Sequence, residues 1–443
     1  MFTKKQVWAL IIPLMIEQVL NALMGAADTM MVSNAGSAAI SAVSLVDSIN
    51  ILVLYVFTAM ATGGTIVCSQ YIGHRDEDMA CQAGKQLVLS VTALSVVVTV
   101  LCLVLRRPLL SLIFGSVEAE VMANSLTYFF ITALSYPFIA LYNSGAALFR
   151  TCGNSRLPLA ISTVANLINV IGNAVFIFGF HMGVAGAALA TLISRVICAV
   201  AVMICLRRPT QAIVVKDYLS IRPNMRLIRR IMAIGIPTGI ENGMFQFGKL
   251  AIQSTVSTLA TYEIAAQAMT STLEMMTSNA SIGVGLAMVT IVGQCVGAWK
   301  LDEAKSYIKR LTWYGEAGII VSCAIIAAAI KPITILGGME PAAAELCIKL
   351  TWLICIVKPI LWAFAFMPPY GLRAAGDVQF TMIFSICSMW LCRVILAIVL
   401  VRVFHMGLLA VWIAMFIDWV LRVLVYTVRL RGKKWIHKAA IED

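Results

Sequence analysis

The stretch "IPLMIEQVLNALMGAADTMMVSNAG", residues 12–36, places two carboxylates in a segment otherwise made of apolar and small side chains. The apolar run extends over residues 7–32, and a membrane-spanning helix needs about 20 such residues. A charge near the middle of a bilayer costs at least about 2.5–3.5 kcal/mol, so acids within a span are functional candidates by default. The stretch therefore predicts a transmembrane helix whose Glu17 and Asp28 face the protein interior or water.

The rest of the composition agrees with a membrane protein. Of 443 residues 61% are hydrophobic and 12% charged, and the mean hydropathy is +0.92, whereas soluble domains carry about 25% charged residues. Helices are expected, because lipid-facing backbone must satisfy its own hydrogen bonds and the alternating pattern of a barrel is absent. The prediction is an all-α integral membrane protein with twelve transmembrane helices, near 7–32, 40–68, 86–105, 121–148, 157–180, 183–206, 231–257, 262–297, 311–330, 343–371, 378–401 and 406–428.

The net charge of +12 reflects topology, not nucleic-acid binding. With twelve spans and the N-terminus inside, 23 of the 33 Lys and Arg lie in cytoplasmic segments and five in outer loops. This is the positive-inside bias, and it predicts that both termini are cytoplasmic. No nucleic-acid partner is expected.

Cysteine and histidine give no sign of a cofactor. The twelve Cys form no CxxC pair and lie mostly inside spans, where they behave as small apolar residues. The four His are scattered, and neither an HExxH pair nor a GxSxG elbow is present. We therefore expect no metal centre, no cofactor and no enzyme activity.

The two halves of the chain are similar to each other. "IPLMIEQ" (12–18) matches "IPTGIEN" (236–242) at an offset of 224, and "HMG" recurs at 181–183 and 405–407. Such a register indicates duplication. Since each copy holds six spans, both copies enter the membrane from the same side, as parallel repeats around a central cavity. The predicted organisation is an N-lobe at 1–206, a basic cytoplasmic linker at 207–230, and a C-lobe at 231–443 with a short basic tail.

Polar side chains line one face of span 1 and one face of span 5. Glu17, Asn21 and Asp28 are spaced by four and seven residues, so they share one stripe of the helix. Pro13 and Gly25 interrupt the same helix, and proline inside a span usually bends it. In span 5 the polar face holds Ser162, Asn166, Asn169 and Asn173. These residues predict either a shared ion site with Asp28 or hydrogen-bonded helix packing.

Spans 6 to 8 add further polar residues. Thr191 lies in the middle of span 6, and Arg195 is expected to partner a group in the cytoplasmic half or to reach its surface. Span 7 carries Glu241, Lys249 and Gln253, and span 8 carries Glu274. Mutual neutralisation of Glu241 and Lys249, and contact with substrate, are equally open.

These residues resemble a known family. Twelve spans in two repeats, the stretch at 12–36, "RTCGN" (150–154), "RAAGD" (373–377) and "GVAGAALAT" (183–191) resemble the multidrug and toxic compound extrusion (MATE) family, in its bacterial DinF-like branch. The resemblance covers nearly the whole chain. It implies a multi-pass protein of the bacterial cytoplasmic (inner) membrane, in contact with lipid, that exports organic, cationic or amphipathic drugs or metabolites in exchange for H⁺ or Na⁺ by alternating access.

The resemblance also implies site residues. The coupling ion is expected at Asp28, Asn169, Asn173 and Thr191, which could supply oxygen ligands to Na⁺, and Pro13 matches the proline at which span 1 bends. The sequence departs from the family at Asn173, where the resemblance implies a second acid. The residues expected to contact substrate or a second coupling ion are Glu17, Asn21, Asn166, Glu241, Gln253, Glu274 and Lys249.

Two other functions are weighed against export. A flippase for lipid-linked saccharides belongs to the same broad superfamily, and Lys249, Lys358 and Arg393 keep it open. A membrane enzyme would turn over substrate without an ion gradient. Nothing in the sequence requires an oligomer, so a monomer is expected.

Overall fold

The computed structural model describes residues 1–436 and 439–441, and within them the regular structure is helical throughout. The basic tail predicted at the C-terminus includes Lys438, which lies outside the described residues. The α-helices are α1 (Lys4–Ser33), α2 (Ser37–Gly73), α3 (Glu77–Val104), α4 (Arg106–Phe114), α5 (Ala119–Leu134), α6 (Tyr136–Thr151), α7 (Arg156–Asn173), α8 (Gly183–Leu206), α9 (Met225–Val256), α10 (Thr261–Gly297), α11 (Leu301–Leu336), α12 (Pro341–Phe366), α13 (Pro368–Ala374), α14 (Val378–Ser388), α15 (Leu396–Arg402) and α16 (Leu408–Arg431).

Each of the twelve predicted spans falls on this helical framework. Among the described residues, ten helical segments are long and apolar enough to cross a membrane. The fourth span is a broken one, because α5 and α6 meet at an angle of 42°. Pro137 in the first turn of α6 explains the break, since proline cannot continue the preceding helix. The seventh predicted span is α9, a continuous helix that falls outside the ten.

The fifth span of each copy contains a π-helical segment. Ala174–Gly179 follows α7 directly, and Met389–Ile395 joins α14 to α15. Such wider turns inside helices often accompany functional sites. The first segment begins immediately after Asn173, and the second contains Arg393.

The backbone confirms the internal duplication. Helices α2 and α10 begin and end 224 residues apart, as the repeat register requires. Left-handed φ angles also recur in matched pairs, at Arg75 and Trp299 (64° and 57°), Gly153 and Gly376 (81° and 93°), His181 and His405 (53° and 51°), and Gly183 and Gly407 (57° and 66°). A left-handed conformation is costly for residues other than glycine. Its recurrence at Arg75/Trp299 and at the two histidines therefore marks the same turns in both copies.

The chain forms two compact units. The N-terminal unit comprises Trp8–Pro13 and Leu20–Gly239, and the C-terminal unit comprises Met1–Val7, Leu14–Val19 and the described residues from Ile240 onward. Their boundary at 239/240 lies inside α9, whereas the sequence places the lobe boundary in the linker 207–230. The assignment of lobes as domains and the central cavity stay predictions.

The linker packs on the N-terminal unit. Ile213 and Val215 are fully buried, and the Tyr218 hydroxyl donates to the carbonyl of Met203 at 2.5 Å. Burial raises the pKa of this tyrosine to about 12. The Gln86 amide donates to the carbonyl of Arg222 at 2.8 Å. These contacts make the linker an ordered part of the unit that carries the candidate site.

Candidate functional site

The polar faces of spans 1 and 5 meet inside the N-terminal unit. Ser162 Oγ donates to Asn21 Oδ1 at 3.1 Å, and Asn166 Nδ2 donates to the same oxygen at 2.9 Å. Two donors on α7 thus converge on one acceptor on α1. This contact fixes the register of the two helices along the stripe that also carries Asp28.

Asp28 lies two turns further along α1, against the C-terminal end of α7. Asn173 Nδ2 donates to Asp28 Oδ1, and to Asn169 Oδ1 at 3.3 Å. Asn169 Nδ2 reaches Thr191 Oγ1 at 3.2 Å. The four residues predicted to hold the coupling ion therefore form one continuous chain of polar contacts through α1, α7 and α8.

The Asn169 side-chain amide finds complementary hydrogen-bond partners for both of its terminal atoms when the positions of Oδ1 and Nδ2 are exchanged. Its nitrogen then donates to Asp28 Oδ1 at 3.3 Å, and its oxygen accepts from Thr191 Oγ1 at 3.2 Å. In this orientation Asp28 accepts from two amides.

Asn173 is fully buried, and its amide oxygen has no hydrogen-bond partner. A buried acceptor left unsatisfied costs about 1–3 kcal/mol, so this oxygen is a site where a proton or cation would find a ligand. Asp28 is only partly buried. The arrangement therefore joins an accessible acid to a buried, unused acceptor.

A second carboxylate, missed in the sequence analysis, lies near this chain. Asp47 on α2 accepts from Asn50 Nδ2 at 3.0 Å and from the Tyr128 hydroxyl at 3.3 Å. Asp28 has Asp47 in its electrostatic surroundings. Asp47 could have been identified from the sequence, because it is an acid within the apolar run 40–68. The cost of placing a charge within a membrane span applies to Asp47 as it does to Asp28.

Arg195 supplies the positive charge of this region. Its NH1 donates to Ser135 Oγ at 2.7 Å, at the break between α5 and α6. Asp28 and Asp47 both lie within its electrostatic range. Of the two alternatives that the sequence left for Arg195, this contact favours an internal partner over a side chain that reaches the surface.

The C-terminal unit carries a different, internally paired set of charges. Lys358 is fully buried, and its ammonium donates to Glu274 Oε1 at 2.6 Å, to Thr277 Oγ1 at 2.7 Å and to Ser278 Oγ at 2.6 Å. It also donates to the backbone carbonyl of Glu274 at 2.7 Å. Glu274, predicted as a substrate or coupling residue, is thus the counter-ion of a buried lysine.

Glu241 is paired with Arg373, not with Lys249. Arg373 NH2 donates to Glu241 Oε1 at 3.1 Å, while the Lys249 ammonium lies 5.2 Å from the centroid of the Phe245 ring. The neutralisation of Glu241 by Lys249 weighed from the sequence is therefore wrong. Helical spacing along α9 allowed that pairing, but in the structure the Glu241 carboxylate accepts from Arg373 on α13.

The structure also places Glu17, Gln253 and Pro13, the remaining predicted residues. Glu17 is buried (2% exposed) and belongs to the C-terminal unit. Gln253 is exposed on α9, and Pro13 lies within the uninterrupted helix α1. The bend predicted at Pro13 stays a prediction. In the described part of the chain no three His, Cys, Asp or Glu residues gather as a metal site.

Sequence profiles of known families identify the chain. The MatE family profile matches residues 13–175 and again residues 237–399. The chain belongs to the MatE family. The two matched ranges are 224 residues apart, which is the offset of the internal repeat. The match confirms the family that was predicted from the sequence. This is a family of multi-pass membrane transporters.

Curated relatives cover nearly the whole chain. An uncharacterised transporter, YisQ, of Bacillus subtilis is 26% identical over 96% of this chain and 94% of its own. A probable multidrug resistance protein, NorM, of Thermotoga maritima is 25% identical over 99% of this chain and 94% of its own.

Solved structures confirm the MATE fold. A MATE transporter in the straight conformation superposes with a TM-score of 0.89 at 20% identity, covering 97% of this chain and 95% of the other. A structure in the bent conformation gives 0.85 at 19% identity, covering 97% and 94%.

Proposed function

We propose that this MatE protein is a secondary active antiporter that exports organic, cationic or amphipathic compounds in exchange for H⁺ or Na⁺ by alternating access. The observation that carries the proposal is the set of polar contacts that joins Asp28 to Asn173 and to Asn169, and Asn169 to Thr191. The names of the relatives support export, since NorM is a probable multidrug resistance protein and the staphylococcal MepA is a multidrug export protein. These names do not favour the lipid-linked saccharide flippase.

The chemistry of Asn173 suggests how ion binding changes the site. When Asp28 is ionised, the Asn173 amide nitrogen donates to it. A protonated carboxyl group becomes a donor, and the unpartnered Asn173 Oδ1 would then accept a hydrogen bond from it after the amide rotates. Na⁺ would instead take oxygens from Asp28, Asn173, Asn169 and Thr191. A proton would therefore reverse the hydrogen bond between α1 and α7, and Na⁺ would replace it with ion–oxygen contacts.

This reversal would couple the ion to substrate. An ionised Asp28 favours a bound organic cation, and its neutralisation by an incoming ion removes that attraction. An ion can shift the equilibrium between inward-open and outward-open states only by its differential affinity for them. The driving force includes about 2.3 kcal/mol per charge for each 100 mV of membrane potential. We place the protein in the bacterial cytoplasmic membrane, with both termini inside, acting as a monomer without a cofactor.

The test is efflux of ethidium from proteoliposomes under an imposed pH gradient or an imposed Na⁺ gradient. We expect one gradient to drive wild-type efflux and Asp28→Asn to lose that dependence. Asp302→Asn is the matched control, because Asp302 is exposed in the first turn of α11. If Asp28→Asn couples efflux as wild type does, the proposed site is wrong. If neither gradient accelerates wild-type efflux, the antiport proposal fails.

A further inference from the structure

Two cations in the C-terminal unit face one aromatic ring without an acid of their own. The Lys249 ammonium lies 5.2 Å from the Phe245 ring centroid, and the Arg393 guanidinium carbon lies 5.5 Å from the same centroid. Both distances are within cation–π range. The ring therefore brings two like charges from separate helical segments together.

The two carboxylates in their electrostatic surroundings, Glu274 and Asp418, are already engaged. Glu274 pairs with Lys358 at 2.6 Å, and Asp418 pairs with Arg422 at 3.0 Å. Among the described residues, no carboxylate lies within 4 Å of Lys249 or Arg393. The electrostatic surroundings of Glu274 hold three cations, Lys249, Lys358 and Arg393, against its single negative charge.

The two cations are also available to a ligand. Lys249 is exposed, and a lysine at this depth of a span faces water or substrate because exposure to lipid is too costly. Among the described residues, Arg393 NH2 donates only to the Met415 thioether sulfur, at 3.0 Å, which is a weak acceptor. The guanidinium thus keeps donors for a stronger partner.

The backbone around Arg393 departs from regular α-helix. Arg393 lies in the π-helical segment Met389–Ile395, and the fifth span of the first copy also contains a π-helical segment, Ala174–Gly179, which directly follows Asn173. A π-helical segment therefore adjoins the Asp28 chain in one copy and contains Arg393 in the other, although the two segments are not at matching positions of the repeat. This is an observation independent of the charge count.

We infer that Lys249, Phe245 and Arg393 form an anion-recognising subsite for the carboxylate of an organic substrate. The carboxylate would accept from the ammonium and from the guanidinium, whose planar fork suits carboxylates, while the Phe245 ring holds the two cations in place. This inference deepens the proposed function, on which its physiological meaning rests. It predicts that, of two otherwise equal cationic or amphipathic compounds, the one that bears a carboxylate binds more tightly.

The test compares two probes that differ only in the anionic group. Tetramethylrhodamine has a free carboxylate, and tetramethylrhodamine methyl ester has the same cationic ring system without it. Each is titrated against the full-length protein in phosphatidylcholine nanodiscs by fluorescence anisotropy, with empty nanodiscs as the blank. We expect wild type to bind the free acid about tenfold more tightly than the ester, the scale of a charge-assisted hydrogen bond.

Substitutions test which residues cause the difference in affinity between the two probes. Lys249→Gln and Arg393→Gln should each remove most of the discrimination by weakening the acid while leaving the ester's Kd unchanged. Lys249→Arg should retain it, which separates charge recognition from misfolding. Lys331→Gln, an exposed lysine on α11, is the matched control and should behave as wild type.

Either of two results overturns the inference. One is equal affinity of wild type for the two probes, and the other is an equal loss for both probes in Lys249→Gln and Arg393→Gln. Because binding is measured without any gradient, it is separable from export. Wild type that discriminates between the probes but does not export under a gradient supports the subsite and contradicts the proposed function.

Discussion

Lys358 shows how a single buried charge is held in this protein. Its ammonium is fully buried, and its three N–H groups are shared among four acceptors, which are one carboxylate oxygen, two hydroxyls and one carbonyl. Removing one partner of a buried pair leaves the other uncompensated, which costs about 3–5 kcal/mol. We therefore expect Lys358→Met to destabilise the protein by about that amount, measured by denaturant unfolding in detergent micelles. The double variant Lys358→Met/Glu274→Gln should recover most of the loss.

The chain provides a matched control for this prediction. Lys349 and Glu345 are also 2.6 Å apart, but their side chains are 70% and 69% exposed. Exposed pairs contribute little because water and salt screen them, so Lys349→Met should leave the unfolding midpoint unchanged. Equal losses in Lys358→Met and Lys349→Met would contradict the argument from burial.

The contacts of individual residues show where sequence reasoning reaches its limit. Helical spacing placed Asn166, Asn169 and Asn173 on one face, and the structure brings that face against the polar stripe of α1. Spacing along one helix could not show that Glu241 meets Arg373, which lies 132 positions away. Partners that are distant in sequence depend on tertiary packing, which helical periodicity does not specify.

At the scale of elements, the apolar runs located the spans but not their ends. The third predicted span, 86–105, is the apolar part of α3, which begins at Glu77. Asp76 caps that helix by accepting from the Met79 amide at 2.9 Å, so the helix extends into a polar region that hydropathy does not mark. The break between α5 and α6 was likewise invisible to hydropathy, because both sides of it are apolar.

Helix α1 contains a glycine that packing does not require. A Cβ added at Gly25 would meet no heavy atom within 4 Å. Glycine inside a helix is less favourable than alanine by about 0.5–1 kcal/mol, so Gly25→Ala should stabilise the protein by that amount. If α1 must bend during transport, the same variant should export ethidium more slowly than wild type.

Gly283 is the matched contrast on α10. A Cβ there would lie 2.7 Å from backbone atoms of Leu14 and Met15. Backbone cannot move aside easily, and overpacking typically costs about 1–3 kcal/mol. Gly283→Ala should therefore destabilise the protein in the same unfolding assay in which Gly25→Ala stabilises it. A loss of stability in both variants would show that Gly25 is needed for packing.

At the scale of the whole molecule, the topology depends on α9. Twelve crossings and two cytoplasmic termini require α9 to span the membrane, although it falls outside the ten segments that pass on length and apolarity. Arg226, Arg229 and Arg230 begin this helix and suit the cytoplasmic side. The carboxylate of Glu241 is offset by Arg373 at 3.1 Å, which lowers the cost of burying α9 in the bilayer.

Reporter fusions on either side of α9 test this topology. Alkaline phosphatase is active only outside the cytoplasm. Green fluorescent protein fluoresces only when it stays in the cytoplasm, because it does not become fluorescent after export in an unfolded state. We expect fusions after Thr210, in the linker, to fluoresce and to lack phosphatase activity, and fusions after Leu259, between α9 and α10, to show the opposite. A fusion after Val117, between α4 and α5, is the external control. The same reporter pattern at 210 and 259 would mean that α9 does not cross. The second copy would then hold five spans, and the positive-inside assignment of the C-terminus would be reversed.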